Sequence, residues 1–210
     1  MSILITGANR GIGQALMHAY TDRGETVIGT SRSGHNGFWQ LDASREADFQ
    51  NLTARLEDVS LSFLICNAGV YADKGLRDEQ RTAQVWAESF AVNVTGVFLT
   101  VQACLPALRR GGGKIAMLGS AMGSDQRAPG GSYVYRASKA ALLNLGRNLA
   151  ADLELPVGIY HPGWVRTDMG GGGADIPVEE SVSGLITRFA ELDRGSSGCF
   201  RSFNGETVPF

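Results

Sequence analysis

Thr6-Gly7-Ala8-Asn9-Arg10-Gly11-Ile12-Gly13 stands directly behind the apolar run Ile3-Leu4-Ile5. Ile12, Ala15, Leu16, Ala19 and Tyr20 follow at the spacing of one helix face, and Gly24 fits a helix C-cap. A strand, a glycine-rich turn and a helix in that order let a backbone approach a pyrophosphate, while the helix N-terminus offers it free N–H groups. A glycine-rich turn can also serve packing alone. Its position between strand and helix is what favours dinucleotide binding.

The same alternation continues outward. Strand-like runs fall at Ser2–Thr6, Thr26–Thr30, Leu61–Cys66, Lys114–Leu118, Val157–His161 and Gly198–Phe203. Helical spacing occupies the intervals: Phe49, Leu52, Leu56 and Val59; Thr82 to Arg109, disturbed near Asn93–Gly96 and Pro106; Ser132–Leu153; and Val178–Leu192. The expected fold is α/β, a single-domain Rossmann fold with a doubly wound parallel sheet over residues 1–210.

Composition narrows the function. A chain of 210 residues with a net charge of −2 has no electrostatic reason to gather nucleic acid or anionic lipid. No stretch of consecutive apolar residues reaches the ~18 of a membrane span. Cys66, Cys104 and Cys199 are too far apart for a metal site, and the expectation is buried thiols, no metal and a cytoplasmic protein without a signal peptide.

Two features carry chemistry. The tip of the second strand reads Thr30-Ser31-Arg32-Ser33, without the carboxylate that would bind an NAD ribose; Arg32, with Arg10 in the turn, suits the 2′-phosphate of NADP(H). Both arginines also fit plain solvated surface. Tyr135 and Lys139 stand four apart on one helix and share a face. A tyrosine trading protons near neutrality needs its pKa of ~10 brought down, to which an ammonium contributes. Tyr-x-x-x-Lys is common by chance, and Tyr133 lacks such a lysine.

Taken with Asn67-Ala68-Gly69, Asn93, Ser120 and Pro162-Gly163 in this order, these motifs closely resemble short-chain dehydrogenases/reductases along essentially the whole chain. The short length and Pro-Gly-Trp-Val-x-Thr-Asp-Met resemble the compact C-factor/sniffer-like carbonyl reductase branch. The resemblance implies catalysis by Asn93, Ser120, Tyr135 and Lys139. Tyr135 would be the acid/base, Ser120 would hold the carbonyl oxygen, Lys139 would bind the nicotinamide ribose and lower the Tyr135 pKa, and Asn93 would keep a relay water. It implies cofactor contacts at Gly7, Asn9, Arg10, Gly11, Ile12, Gly13, Ser31, Arg32, Asp42, Asn67, Ala68, Gly69, Tyr135, Lys139, Pro162, Gly163, Val165 and Thr167.

Asp42 would meet adenine, and Val165 and Thr167 the carboxamide or pyrophosphate. Each also has a plain reading: Asp42 as a helix cap, Asn93 as a kink, Ser120 as one loop serine among several. Gly170–Gly173 would start a lid over a small-molecule carbonyl or alcohol, and the apolar loop 164–178 suits a neutral one. Relatives associate through the long helices, implying a homodimer or homotetramer. The alternative is a catalytically silent NADP(H)-binding sensor on the same fold. A nucleotide-sugar epimerase shares the Tyr/Lys pair but needs a larger substrate domain than this chain holds.

Overall fold

In a computed structural model, which describes residues 1–210, seven strands form one parallel sheet. They are β1 (Ser2–Ile5), β2 (Thr26–Ser31), β3 (Trp39–Gln40), β4 (Leu61–Cys66), β5 (Lys114–Leu118), β6 (Val157–His161) and β7 (Phe200–Ser202), ordered β3-β2-β1-β4-β5-β6-β7. The central strands are apolar nearly throughout, as strands covered on both faces must be. Against one face pack α2 (Glu46–Arg55), α4 (Gly96–Gly111) and α5 (Tyr133–Asp152), in a cluster built on Leu52, Leu108 and Leu142. Against the other pack α1 (Gly11–Thr21) and α6 (Val178–Ala190), around Leu16, Leu185 and Phe189. The doubly wound parallel fold is as expected, with strand and helix ends moved by a few residues.

Three details differ from the sequence reading. The strand β3, two residues long, has too little pattern to be seen; it pairs Trp39 with Thr30, and the Arg55 guanidinium stacks 4.0 Å from the Trp39 ring. The long helix divides near Asn93 as expected, into α3 (Ala83–Phe90), a π-helical stretch at Ala91–Thr95, and α4, but it runs on through Pro106 without a break. By length and mean hydropathy the run Ala83–Gly111 also passes the test for a membrane span that the sequence count did not reach, but half of its apolar window is buried inside the fold.

Strand order reverses between β1 and β4. Open α/β sheets bind ligands at that switch point, outside the carboxyl ends of the strands. Thr6–Gly13 leaves β1 there and Asn67-Ala68-Gly69 leaves β4 beside it.

Candidate active site

The turn after β1 is held open for a ligand. Gly7 (φ +64°) and Gly11 (φ +54°) adopt left-handed backbone, which glycine takes without a Cβ penalty. A Cβ on Gly13 would overlap the Gly7 carbonyl and the Asn67 amide, so only glycine lets α1 dock so closely. Arg10, the N-cap of α1, makes no side-chain cap bond, and no acid stands in the first turn. The helix N–H groups and positive dipole end are therefore left for an outside anion. This glycine cradle fits a dinucleotide pyrophosphate. Ile12 packs inward against the α1/α6 cluster, whereas Asn9 and Arg10 are exposed.

Asn67 holds the turn in place. Its Nδ2 donates to the Thr6 and Gly7 carbonyls at 2.9 and 3.1 Å. Ala68 lies against Gly7, where a Cβ would come within 3.1 Å of the Ala68 Cα.

At the β2 tip Ser31 is buried, its Oγ accepting from the Gly34 N–H at 3.1 Å, while Arg32 is exposed. Asp42 is tied to its own turn: Oδ1 accepts from the Ser44 N–H (3.0 Å) and Oγ (2.7 Å). Partial burial works to raise its pKa, but the Ser44 bonds and the charges of Arg32 and Arg45 outweigh it and hold the carboxyl low. Asp42 thus closes a local turn with Ser44 ahead of α2, whose N-cap is Arg45 without a side-chain cap bond, and Arg32 shares its neighbourhood. Arg10 pairs with Asp168 at 3.2 Å, with side chains 63% and 80% exposed; such a pair is worth little.

Beyond Gly69 the candidate catalytic groups converge. A Cβ on Gly69 would sit 3.3 Å from Asn93 Oδ1 and 3.7 Å from Lys139 Nζ, so these three residues meet at one point. Asn93, in the π-helical stretch and fully buried, accepts from the Val70 N–H (2.8 Å) and donates to the Val70 carbonyl and Ser138 Oγ (both 2.9 Å). Both its amide hydrogens are used, so the side chain braces the loop after β4 to α5 and has no donor left for a water.

Lys139 Nζ donates to the Leu118 carbonyl at 2.8 Å and lies 5.8 Å from the Tyr135 ring centre. Ser120 caps a short 3-10 turn (Ala121–Gly123), accepting from the Met122 N–H at 3.1 Å. The expected fall in the Tyr135 pKa is not produced by the protein's own groups. Burial pushes the phenol up to about 12; Ser120 opposes this and Tyr71 adds to it. Burial likewise brings Lys139 down to about 8. Burial outweighs the ammonium because both groups leave water together.

The Lys139 shift has a sign that can be checked. The unfolded lysine titrates near 10.5, so between about pH 8 and 10.5 the unfolded chain holds a proton the folded chain has lost. Stability from this group rises with pH across that window. Lys139→Met should remove the rise, seen as a flatter urea midpoint against pH than the parent chain shows.

The segment after β6 reaches back to the glycine turn: a Cβ on Gly11 would touch Thr167 Cγ2 at 3.4 Å. Gly163 (φ +88°), behind Pro162, leaves no room for a Cβ against Ile176. Val165 is buried and bridges Ile176. The glycine run is more tied than a loose lid. Thr167 Oγ1 accepts from the Gly170 N–H (3.1 Å), and the Gly170 carbonyl accepts from Trp164 Nε1 (3.1 Å) and Lys74 Nζ (3.2 Å). His161 ends β6; burial first, then Arg127 and Lys139, push it to about 4, leaving it neutral. Cys66 and Cys104 are buried free thiols, and Cys199 is free and half-buried.

The profile of the short chain dehydrogenase family matches residues 1–174. The chain belongs to that family. It is 40% identical over 130 residues to the C-signal protein of Myxococcus xanthus, an alignment covering 59% of this chain and 78% of the other. In three dimensions it matches the carbonyl reductase Sniffer of D. melanogaster (TM-score 0.90, 28% identity, 100% and 99% of the two chains). It also matches an NADPH-bound carbonyl reductase from chicken fatty liver (TM-score 0.89, 28% identity, 100% and 98%). The protein is an NAD(P)-dependent oxidoreductase of the carbonyl reductase type within a family that binds NADP(H) and acts on small molecules.

Three residues of this short chain dehydrogenase matter more than local sequence shows. Thr6 Oγ1 accepts from the Asn67 and Ala68 N–H groups, both at 3.0 Å, joining the two switch-point turns. Tyr71 stacks on Tyr135 (ring centres 4.2 Å apart, 17° between planes) and hydrogen-bonds Ser132 Oγ at 2.5 Å. Asp73, 1% exposed, accepts from the Val134 and Tyr135 N–H groups at 3.0 and 3.1 Å and faces Arg81 Nε at 3.8 Å. It caps the start of α5 from sixty residues away, a pairing no short spacing reveals; its place four residues past Gly69 is the only hint.

Proposed function

We propose that this chain is an NADP(H)-dependent oxidoreductase interconverting a carbonyl and a secondary alcohol, with Tyr135 as the proton-transferring group. The observation that carries this is the convergence of Gly69, Asn93 and Lys139 beside Tyr135 and Ser120, at the switch point of the sheet. When bound, the nicotinamide supplies the hydride. In the reductive direction Tyr135, kept protonated by burial, gives its proton to the carbonyl oxygen. Ser120 steadies the charge growing on that oxygen. Lys139, whose pKa of about 8 leaves it charged at neutral pH, offsets the phenolate that remains and is the group to bind the nicotinamide ribose. Asn93 fixes Ser138 and Val70, so its part in proton relay is positional. Gly7, Gly11 and Gly13 admit the pyrophosphate; Ser31, Arg32 and Asp42 surround the adenosine end; Pro162, Gly163, Val165 and Thr167 line the nicotinamide side.

An NADPH-oxidation screen over aldehydes, ketones, quinones and keto-esters tests the reading. Accelerated oxidation by at least one class supports it. Tight NADPH binding with no acceptor turned over would establish the silent sensor instead. We further propose a cytoplasmic homodimer or homotetramer built on α4 and α5, checked by size exclusion with light scattering. Phe98 of α4, 43% exposed, leaves an apolar residue on that surface.

The preference for NADP(H) rests on Arg32 at the β2 tip, joined by Arg10, whose exposed pair with Asp168 is weak enough to yield to a phosphate. Arg32→Asp should weaken NADPH by about 10- to 100-fold more than NADH, the worth of one charge-assisted bond. Dissociation constants from fluorescence titration decide this, and an unchanged ratio removes Arg32 from the site.

A further inference from the structure

A hollow of about 580 Å³ opens one residue away from two of the candidate catalytic groups. Ala121, which follows Ser120, and Arg136, which follows Tyr135, both line it; Met122, Arg127 and Pro129 complete most of the wall. Its apolar surface is interrupted by two guanidiniums and by no carboxylate. Neither arginine has an acidic partner anywhere in the fold.

Their bonding leaves capacity unused. Arg136 Nη1 donates to the Met122 and Arg127 carbonyls at 3.3 and 3.1 Å, while its buried Nε meets no acceptor. Arg127 is exposed and its side chain bonds nothing in the protein. Gln126, also in the wall, gives its N–H to a main-chain oxygen of Phe210, which pairs with neither guanidinium. Arg127 also acts with Lys139 on His161 at the end of β6, so its charge is felt inside the same cleft.

We infer that this hollow seats an anionic group, a carboxylate or a phosphate, carried by the carbonyl substrate, with Arg127 and Arg136 as its partners. Guanidinium forks match both oxyanions, and the Ala121, Met122 and Pro129 wall suits an alkyl spacer between anion and carbonyl. This rests on the oxidoreductase reading and adds to it: the apolar loop 164–178 suits the body of the substrate, and the hollow takes its charged end.

The probes are methyl-ketone carboxylates of increasing chain length and the matching ketone phosphates, each beside its neutral methyl ester. In the parent chain, kcat/KM should favour the anion over its ester at one chain length, and whether carboxylate or phosphate gains more identifies the source. Arg127→Gln should lower the anion-to-ester ratio by about 10- to 100-fold. Arg136→Gln should lower it in the same direction. Because partial unfolding cancels in the ratio, a poorly folded variant still reports. A ratio near one at every length in the parent, or a ratio unmoved by Arg127→Gln, overturns the proposal.

Calorimetric titration with saturated carboxylates, which have no carbonyl to reduce, separates the two readings. Arg127-dependent binding of these carboxylates, with no ketone of the series turned over, supports the seat and removes the reductase. Neither turnover nor Arg127-dependent binding removes both.

Discussion

Tyr135→Phe should reduce carbonyl turnover by about 10²- to 10⁴-fold, the usual worth of a positioned general acid, and leave NADPH affinity near that of the parent. The substitution is clean for a structural reason. The ring is buried and stacked 4.2 Å from Tyr71, and phenylalanine keeps both the stack and the burial. Only the hydroxyl facing Ser120 is lost. The loss should fall on kcat, because the hydroxyl's contribution grows as the proton moves. Tyr133 is the internal control: it is 54% exposed, with the Arg81 guanidinium 5.5 Å from its ring centre, and Tyr133→Phe should leave turnover unchanged. Parental kcat in Tyr135→Phe would remove the phenol from the chemistry.

Asp73→Ala should cost on the order of 3 kcal/mol of folding stability, within the range for breaking a buried charged pair. Two N–H groups at the start of α5 lose their acceptor, and Arg81, 16% exposed, loses its nearest buried carboxylate. For a chain of this size that corresponds to a melting-temperature drop of roughly 6–12 °C. Asp73→Asn keeps the shape and one acceptor, so it should lie between parent and alanine. A stability change under about 0.5 kcal/mol for Asp73→Ala, the level of an ordinary surface substitution, would show that α5 needs no such cap.

The elements legible in the sequence were those whose signal is local. The β1–turn–α1 unit and the strands Leu61–Cys66, Lys114–Leu118 and Val157–His161 combine apolar runs with glycine punctuation, and they appear within a residue of where the pattern puts them. The break near Asn93 was legible because asparagine and glycine stand close together in an apolar helix. What was not legible depends on distance along the chain. Thr6 to Asn67, Tyr71 to Tyr135 and Asp73 to Val134 are contacts between segments roughly sixty residues apart, and no periodicity encodes them. The burial that holds the Tyr135 phenol up was not legible for a related reason: the lysine at i+4 is visible in sequence, whereas the depth at which both groups are buried is not. The glycines at 170–173 read as slack, yet Gly170 and Gly171 find hydrogen-bond partners in Trp164, Thr167 and Lys74.

The π-helical stretch at Ala91–Thr95 has a geometric consequence for everything after it. Buried positions along this run fall at Ser89, Asn93 and Val97, four apart across the stretch, and then at Thr100, Val101, Cys104 and Leu108 in the three- and four-residue steps of an ordinary helix. An ordinary helix repeats every 3.6 residues, so the two steps of four from Ser89 through Asn93 to Val97 would carry the inward face about 80° around the axis, and the row that begins at Val97 would turn away from the sheet. One widened turn absorbs the excess. It acts as a phase corrector, letting a polar amide near the reaction centre and an aliphatic row under β4 be read off a single helical rod. Deleting one residue there would restore a regular helix at the cost of choosing between them: either the asparagine or the apolar row would face the wrong way.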